Sequence, residues 1–159
     1  MLRSAHRTGL ALTVLAAAAL LACREVNAPN EDPATTSYAA ALGVDVSRMT
    51  RTPSGLYYQD LVTGQGTEAD SGKTVRTYYT GWLTSGEQFD SNRGKTPFQF
   101  ILGTGMVIKG WDQGIKGMRV GGRRRIVVPP ALGYGKAGQP GTVPSRATLV
   151  FDIELKKVH

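Results

Sequence analysis

The chain has 159 residues, 20 of them glycine, and a formal net charge of +7. This length fits one folded domain with appended segments, and the glycine content favours a β-rich fold with tight turns over a helical bundle. The only cysteine is Cys23, which excludes an intramolecular disulfide and a cysteine-based metal cluster. The two histidines, His6 and His159, lie at opposite ends of the chain. We therefore expect neither a metal site nor a cofactor.

The first 22 residues have the pattern of a secretory signal. Arg3 and Arg7 give it a positive start, and residues 10–21 form an uncharged apolar run of 12 residues. That run is shorter than the about 20 residues of a membrane-spanning helix and fits the apolar core of a signal peptide. It ends in Leu-Leu-Ala-Cys at positions 20–23, which resembles the lipobox of bacterial lipoproteins. The resemblance implies cleavage before Cys23 and acylation of its thiol.

This interpretation predicts an exported protein that a lipid anchor holds on the bacterial cell envelope, facing the periplasm. Two alternatives stay open. An ordinary signal peptide cut near Ala22 would leave a free thiol, and an uncleaved segment would itself remain as an anchor. Removal of the signal would leave 17 basic and 12 acidic residues in the exported chain.

The segment after Cys23 is polar. Residues 24–37 contain two prolines, which predicts a disordered tether between membrane and domain, and the helical pattern that follows in residues 38–49 is weak. We accordingly assign residues 1–22 to the signal peptide, residues 23–52 to the lipidated cysteine and its tether, and residues 53–159 to the folded domain.

The folded domain carries strand patterns separated by turn-rich loops. Its candidate strands are rich in β-branched and aromatic residues. The last of them alternates strictly, with Leu149, Phe151, Ile153 and Leu155 on one face, which is typical of a half-buried antiparallel strand. The five predicted strands cover residues 55–62, 73–84, 98–102, 121–129 and 147–158.

One helix is predicted, over residues 110–118, although Gly114 and Gly117 weaken it. Residues 85–97 and 130–146 are predicted as loops. About five strands and one short helix indicate an α+β domain with an antiparallel sheet. Since only this helix is available to cover a sheet face, we expect a curved half-barrel wrapped around it.

Three separated motifs follow one another along this domain. They are YYTGWLTSGEQFDS (78–91), PFQFILGTGMVIKGWDQGIKGMRVGGRRRIVVPPALGYG (97–135) and ATLVFDIELKKV (147–158). Together they resemble the FKBP-type, macrolide-binding peptidyl-prolyl isomerases, over roughly residues 53–159. The resemblance implies the same curved half-barrel fold and an enzyme that rotates Xaa-Pro bonds. It also implies prolyl polypeptides as substrates and macrolides as candidate inhibitors.

Residue by residue, the resemblance places three candidate catalytic side chains, Tyr79, Asp90 and Tyr134, at an apolar pocket. We expect Asp90 to accept hydrogen bonds from Tyr79 or Arg93 and Tyr134 to orient the substrate carbonyl. Trp111 would form the pocket floor. The implied substrate-binding residues are Phe89, Phe98, Val107, Ile108, Trp111, Val143 and Phe151.

Two positions depart from the family's pattern. Gln139 stands where many relatives carry a histidine, and Thr142 stands where they often carry an aliphatic residue. These departures bear on macrolide affinity and substrate preference more than on the fold.

Several of these residues also have a purely structural interpretation. Alternation alone would make Phe151 a core residue, and only the resemblance places it in the pocket. The run from Arg123 to Arg125 is typical of a solvated strand, with Arg124 on the face opposite to its two neighbours.

Three other functions compete with the isomerase. The same fold could hold prolyl segments as a chaperone, with little turnover. A small basic domain that binds nucleic acid has slight support from the arginine run, but the export signal and the acidic residues near Cys23 argue against it. A prolyl isomerase that uses cysteine and histidine fails because the exported chain keeps only His159 and an acylated Cys23.

Overall fold

The computed structural model describes residues 32–159. The predicted signal peptide, Cys23 and the first part of the tether, residues 24–31, lie outside the described residues. Within residues 32–159, no helix has the length and apolar character needed to cross a membrane.

The domain is built on one seven-stranded antiparallel sheet. Its order is β1-β2-β6-β7-β3-β4, and β5 pairs with β3 beside β4. Within the described residues one α-helix, α1, is present, and it packs against the sheet. The elements are β1 (Thr50–Arg51), β2 (Tyr57–Val62), β3 (Thr74–Leu83), β4 (Gln88–Ser91), β5 (Phe98–Ile101), α1 (Lys109–Ile115), β6 (Arg123–Val128) and β7 (Leu149–Val158).

The curved sheet and its covering helix are confirmed, and so is the alternation of the last strand. Leu149, Phe151, Ile153 and Leu155 are all buried on the inner face of β7. Two strands were not predicted. β4 lies in the segment that was expected to be a loop, and β1 precedes the predicted start of the domain.

Two glycines let α1 approach the sheet closely. A Cβ atom at Gly110 would lie 2.5 Å from the side chain of Val128, and one at Gly114 would lie 2.9 Å from Ile126. These contacts are shorter than van der Waals distance, so larger side chains would push the helix away from β6. The glycines that lower the intrinsic helix propensity of this segment therefore allow its packing.

The outer face of the sheet is covered at one end by residues 38–51, which we call the strap. The strap contains two short 3-10 helices and β1. Its Leu42 and Met49 pack on Tyr57, Val127 and Val150, and all five side chains are buried. The folded part of the chain therefore begins before residue 53, where the sequence had suggested that the domain starts.

The segment before the strap is also attached to the domain. Asp32 accepts a hydrogen bond from the hydroxyl of Tyr57 at 3.3 Å and lies 3.6 Å from the guanidinium of Arg51. Tyr38 donates to the carbonyl of Pro33 at 2.9 Å. Part of the predicted tether, from residue 32 onward, thus contacts the sheet.

The arginine run is not simply solvated. Arg124 is buried on the inner face, where it binds Asp60 at 2.6 Å and donates to the carbonyls of Gly114 and Lys116 at the end of α1. Arg125 binds Asp152 at 2.6 Å and donates to the carbonyl of Leu42 in the strap. The predicted alternation is correct, but two of the three arginines hold the helix and the strap in place.

Candidate active site

The inner face of the sheet and α1 enclose an open, mostly apolar cleft of about 460 Å³. Among the described residues that line it, Asp90 is the only carboxylate. The wall contains Tyr79, Phe89, Asp90, Phe98, Met106, Val107, Ile108, Trp111, Tyr134 and Phe151.

The floor of the cleft is the indole ring of Trp111, at the start of α1. The ring of Tyr79 meets it edge-on with centroids 4.8 Å apart, and that of Phe151 meets it at 5.5 Å. Such edge-to-face contacts between aromatic rings are favourable and fix the rings' orientations. Trp111 is 5% exposed, and its indole N–H has no hydrogen-bond partner within residues 32–159.

A glycine in β3 makes room for two of the aromatic walls. The rings of Phe89 and Phe151 meet edge-on over Gly81, with centroids 5.5 Å apart. A Cβ atom at Gly81 would lie 2.7 Å from the ring of Phe151 and 2.8 Å from that of Phe89. The shape of this side of the cleft therefore depends on the missing side chain at position 81.

The loop that carries Val107 and Ile108 is fixed by a residue of α1. The carboxylate of Asp112 accepts hydrogen bonds from the backbone N–H groups of Gly103 at 2.7 Å and Gly105 at 3.0 Å. Because both hydrogen bonds end on the Asp112 side chain, the loop that carries Val107 and Ile108 is held at a fixed distance from α1, which bears Trp111.

The polar group of the cleft is a pair formed by Tyr79 and Asp90. The Tyr79 hydroxyl donates to Oδ2 of Asp90 at 2.6 Å. Burial, and then the hydrogen bond and charge of Asp90, raise the pKa of Tyr79 well above its ordinary value. Tyr79 therefore stays protonated across the neutral range and acts as a fixed donor to the carboxylate.

Tyr134 faces the same cleft and has no hydrogen bond to its hydroxyl within residues 32–159. Burial, and then the charge of Asp90, raise the pKa of Tyr134. Its hydroxyl is therefore a protonated donor that is available to a bound molecule.

Asp90 is positioned by the turn that follows it. Asn92 accepts from the backbone N–H of Tyr79 at 2.8 Å and donates to the carbonyl of Thr77 at 3.0 Å, which ties this turn to β3. The sequence left open whether Arg93 reaches Asp90. Arg93 instead binds Glu154 on the outer face, at 3.3 Å.

A comparison of this sequence with models of known protein families decides the family to which it belongs. The family model of the FKBP-type peptidyl-prolyl cis-trans isomerases matches residues 65–156, which is more than half of the chain. The chain belongs to this family.

Known relatives extend this FKBP-type match. An FK506-binding protein of Neisseria meningitidis serogroup B is 47% identical over 106 residues, covering 66% of this chain and 97% of that protein. FK506-binding protein 4 of Dictyostelium discoideum is 52% identical over 103 residues, covering 65% of this chain. The chain spans only 28% of the Dictyostelium protein, whereas the Neisseria protein is almost entirely this domain.

Solved structures show the same FKBP fold. AtFKBP13 superimposes with a TM-score of 0.65 at 40% identity, covering 70% of this chain and 99% of that one. FkpA from Escherichia coli gives a TM-score of 0.64 at 41% identity, with coverages of 69% and 51%.

The cleft of this FKBP-type domain brings together nearly all of the site residues that the resemblance implied. Val143 is the exception, because it is buried in the main core and lines a separate groove. Gln139 and Thr142 line that same groove and not the cleft. The departures at these two positions therefore leave the walls of the cleft unchanged.

Sequence reasoning missed one wall residue, Met106. Its side chain is 60% exposed where it lines the cleft, and the wall residue Phe98 is 41% exposed. The signal was present in the sequence, since an apolar side chain directly precedes the two predicted wall residues Val107 and Ile108. The exposed edge of the cleft is thus apolar at Met106 and Phe98, and a bound polypeptide can bury both of these side chains.

Proposed function

We propose that this FKBP-type domain catalyses cis–trans isomerisation of Xaa-Pro bonds in polypeptides. The observation that carries the proposal is the aromatic cleft over Trp111, with the Tyr79–Asp90 pair at its wall. A proline ring is apolar and compact, and such a cleft binds it by shape and by burial of area.

Rotation about a prolyl bond needs no bond to be broken. Its barrier of about 18–20 kcal/mol comes from the loss of amide resonance, while the cis and trans forms differ little in energy. A catalyst must therefore bind the twisted amide better than either planar form. The twisted amide has less charge separation than the planar one, so a cleft that excludes water favours it.

Fixed donors complete the mechanism. The hydroxyl of Tyr134 donates to a carbonyl oxygen of the substrate, and the indole N–H of Trp111 leaves a second unpaired donor at the floor. The Tyr79–Asp90 pair keeps the carboxylate in place beside the bound chain. No step transfers a proton to or from the substrate.

Removal of the Tyr79 hydroxyl tests this role of the pair. In residues 24–159, Tyr79→Phe is expected to lower kcat/KM for a Leu-Pro peptide about 2- to 12-fold, the effect of one hydrogen bond. Tyr78→Phe is the matched control, because Tyr78 lies on the same strand but faces outward over Lys156. If Tyr79→Phe and Tyr78→Phe had the same kcat/KM, whether unchanged or equally lowered, the assignment of the site would be contradicted.

The proposal also includes macrolides, which would bind in the same cleft as the substrate. The relatives named above are FK506-binding proteins. The wall of the present cleft is mostly apolar, and the departures at Gln139 and Thr142 lie outside it. FK506 should therefore compete with the peptide substrate.

We further propose that the protein is an exported lipoprotein of the bacterial envelope, with the periplasmic chains beside it as substrates. The support is the apolar run that ends in Leu-Leu-Ala-Cys at positions 20–23. Acylation of Cys23 would then anchor the domain to the membrane.

A change of this cysteine tests the location. Cys23→Ser should move the protein from the membrane fraction to the soluble fraction or leave it with an uncut signal, because a serine hydroxyl cannot form the thioether. The measurement is incorporation of labelled fatty acid together with fractionation. A wild-type chain that incorporates no fatty acid would refute the lipoprotein assignment, whatever its isomerase activity.

A further inference from the structure

Within residues 32–159, the end of the outer sheet face that the strap does not cover is basic. Glu154 of β7 lies there at the centre of a group of basic side chains from β3, β6, β7 and the turn after β4. We call this group the basic face. Its members are Arg76, Arg93, Arg123, Lys156 and Lys157.

A β-bulge increases the density of charge on this face. The register between β3 and β7 shifts between Arg76 and Thr77, so Lys156 is the additional residue of β7 at this point. Lys156 binds Glu154 at 2.9 Å and lies over the ring of Tyr78, both of which point outward. Lys157 pairs directly with Arg76, which also points outward. Two consecutive lysines therefore share one face, which regular alternation would prevent.

The charges of this face are not balanced. Glu154 binds both Arg93 and Lys156. Within residues 32–159, no carboxylate lies within 4 Å of Arg76, Arg123 or Lys157. Arg76 and Lys157 are direct cross-strand partners, and like charges in such a pair destabilise a sheet. An anionic partner would offset that repulsion.

The basic face lies on the side of the sheet opposite to the cleft. Tyr78 and Tyr79 illustrate this geometry, because neighbouring residues of β3 point to opposite faces. The strap covers the other end of the outer face and leaves the basic end open. A partner bound there would leave the mouth of the cleft free for a polypeptide.

We propose that the basic face binds the surface of a membrane that contains anionic phospholipids. Four of the five side chains extend across three neighbouring strands, and Arg93 lies in the turn after β4. None of the five lines a described pocket of residues 32–159, an arrangement that suits many headgroups in a plane better than a single phosphate. Eight residues separate Cys23 from Asp32, a distance of at most about 30 Å when fully extended. The inference goes beyond the proposed isomerase activity and, because it concerns the domain itself, does not require acylation of Cys23.

Vesicle binding tests the proposal on residues 24–159, which keep the whole folded domain but lack the acylation site. The Neisseria relative, which is almost entirely this domain, supports the use of the domain alone. Vesicles of phosphatidylcholine mixed with phosphatidylglycerol should bind the protein at low salt, and vesicles of phosphatidylcholine should not. Arg76→Gln with Lys157→Gln should weaken binding about 25-fold, since each basic residue contributes about fivefold near such a surface.

The matched control is Lys109→Gln with Lys136→Gln, which removes the same charge from two exposed residues that lie outside the basic face. An equal loss in both double variants would show that only net charge acts and would overturn the proposal. It would also be overturned if the anionic vesicles did not bind, or if inorganic phosphate or a single-stranded oligonucleotide bound in their place. Isomerase rates of the Arg76/Lys157 variant should be those of the wild type, so loss of vesicle binding and failure of the isomerase proposal are distinguishable.

Discussion

A chain that begins at Thr50 is expected to be less stable than one that begins at Asp32 by at least about 4 kcal/mol. The shorter chain loses residues 38–49 of the strap, and truncation of a buried Leu or Met side chain costs about 2–5 kcal/mol for each residue. Both Leu42 and Met49 are buried against the outer sheet face. Urea denaturation measures the difference, and aggregation is expected because Val127 and Val150 become exposed.

A point variant separates this effect from simple shortening. Leu42→Asp places a charge in the buried cluster and should destabilise the whole chain, whereas Ala41→Asp, at the exposed neighbouring position, should not. Because the strap lies on the face opposite to the cleft, folded Leu42→Asp should isomerise a Leu-Pro peptide at the wild-type rate. Equal stability of the two variants would refute the role given to the strap.

Phe151→Ala should cost about 3–5 kcal/mol of stability and remove most of the isomerase activity of the folded protein. Its ring is 3% exposed and contacts both Trp111 and Phe89. Without that ring, Trp111 at the floor of the cleft loses one of the contacts that fix its orientation, and the wall opens to water. Activity is measured well below the unfolding transition, and near-UV circular dichroism confirms folding.

Ile153→Ala is the matched control for this effect. Ile153 lies two residues further along the same face of β7, is fully buried, and does not line the cleft. It should lower stability by a comparable amount while the folded protein keeps its turnover. If both variants lost turnover equally, the loss in Phe151→Ala would reflect packing in general and not the wall of a site.

The sheet was predictable because its long strands carry their own pattern. β7 has ten residues and alternates from Leu149 to Leu155, and β3 is equally long and rich in β-branched and aromatic residues. β4 has only four residues, two of them polar and one charged, and its strand conformation depends on pairing with β3. β1 has two residues, and it forms only because the rest of the strap is packed on the sheet.

The residues of the cleft and the hydrogen bond from Tyr79 to Asp90 were accessible through the family's motifs, but the ion pairs outside the cleft were not. Alternation correctly placed Arg124 on the inner face, yet its partner Asp60 is 64 positions earlier in the chain. Arg93 is three residues after Asp90 and still pairs with Glu154, because β7 lies beside β3 on the outer face. Such pairings depend on strand order, which no local pattern specifies.

The mechanism is tested most directly by kcat/KM for a Leu-Pro peptide, measured on residues 24–159 as a function of pH. The pKa values of Tyr79 and Tyr134 are both raised above the ordinary value of about 10, so both hydroxyls stay protonated as the pH rises through the neutral range. The only histidine in residues 24–159 is His159, whose backbone N–H donates to the carbonyl of Thr74 at the far end of β3. We therefore predict a rate above that of the uncatalysed reaction and constant from about pH 6 to 9, with or without His159. No acceleration, or a bell-shaped profile centred near neutrality, would contradict the account.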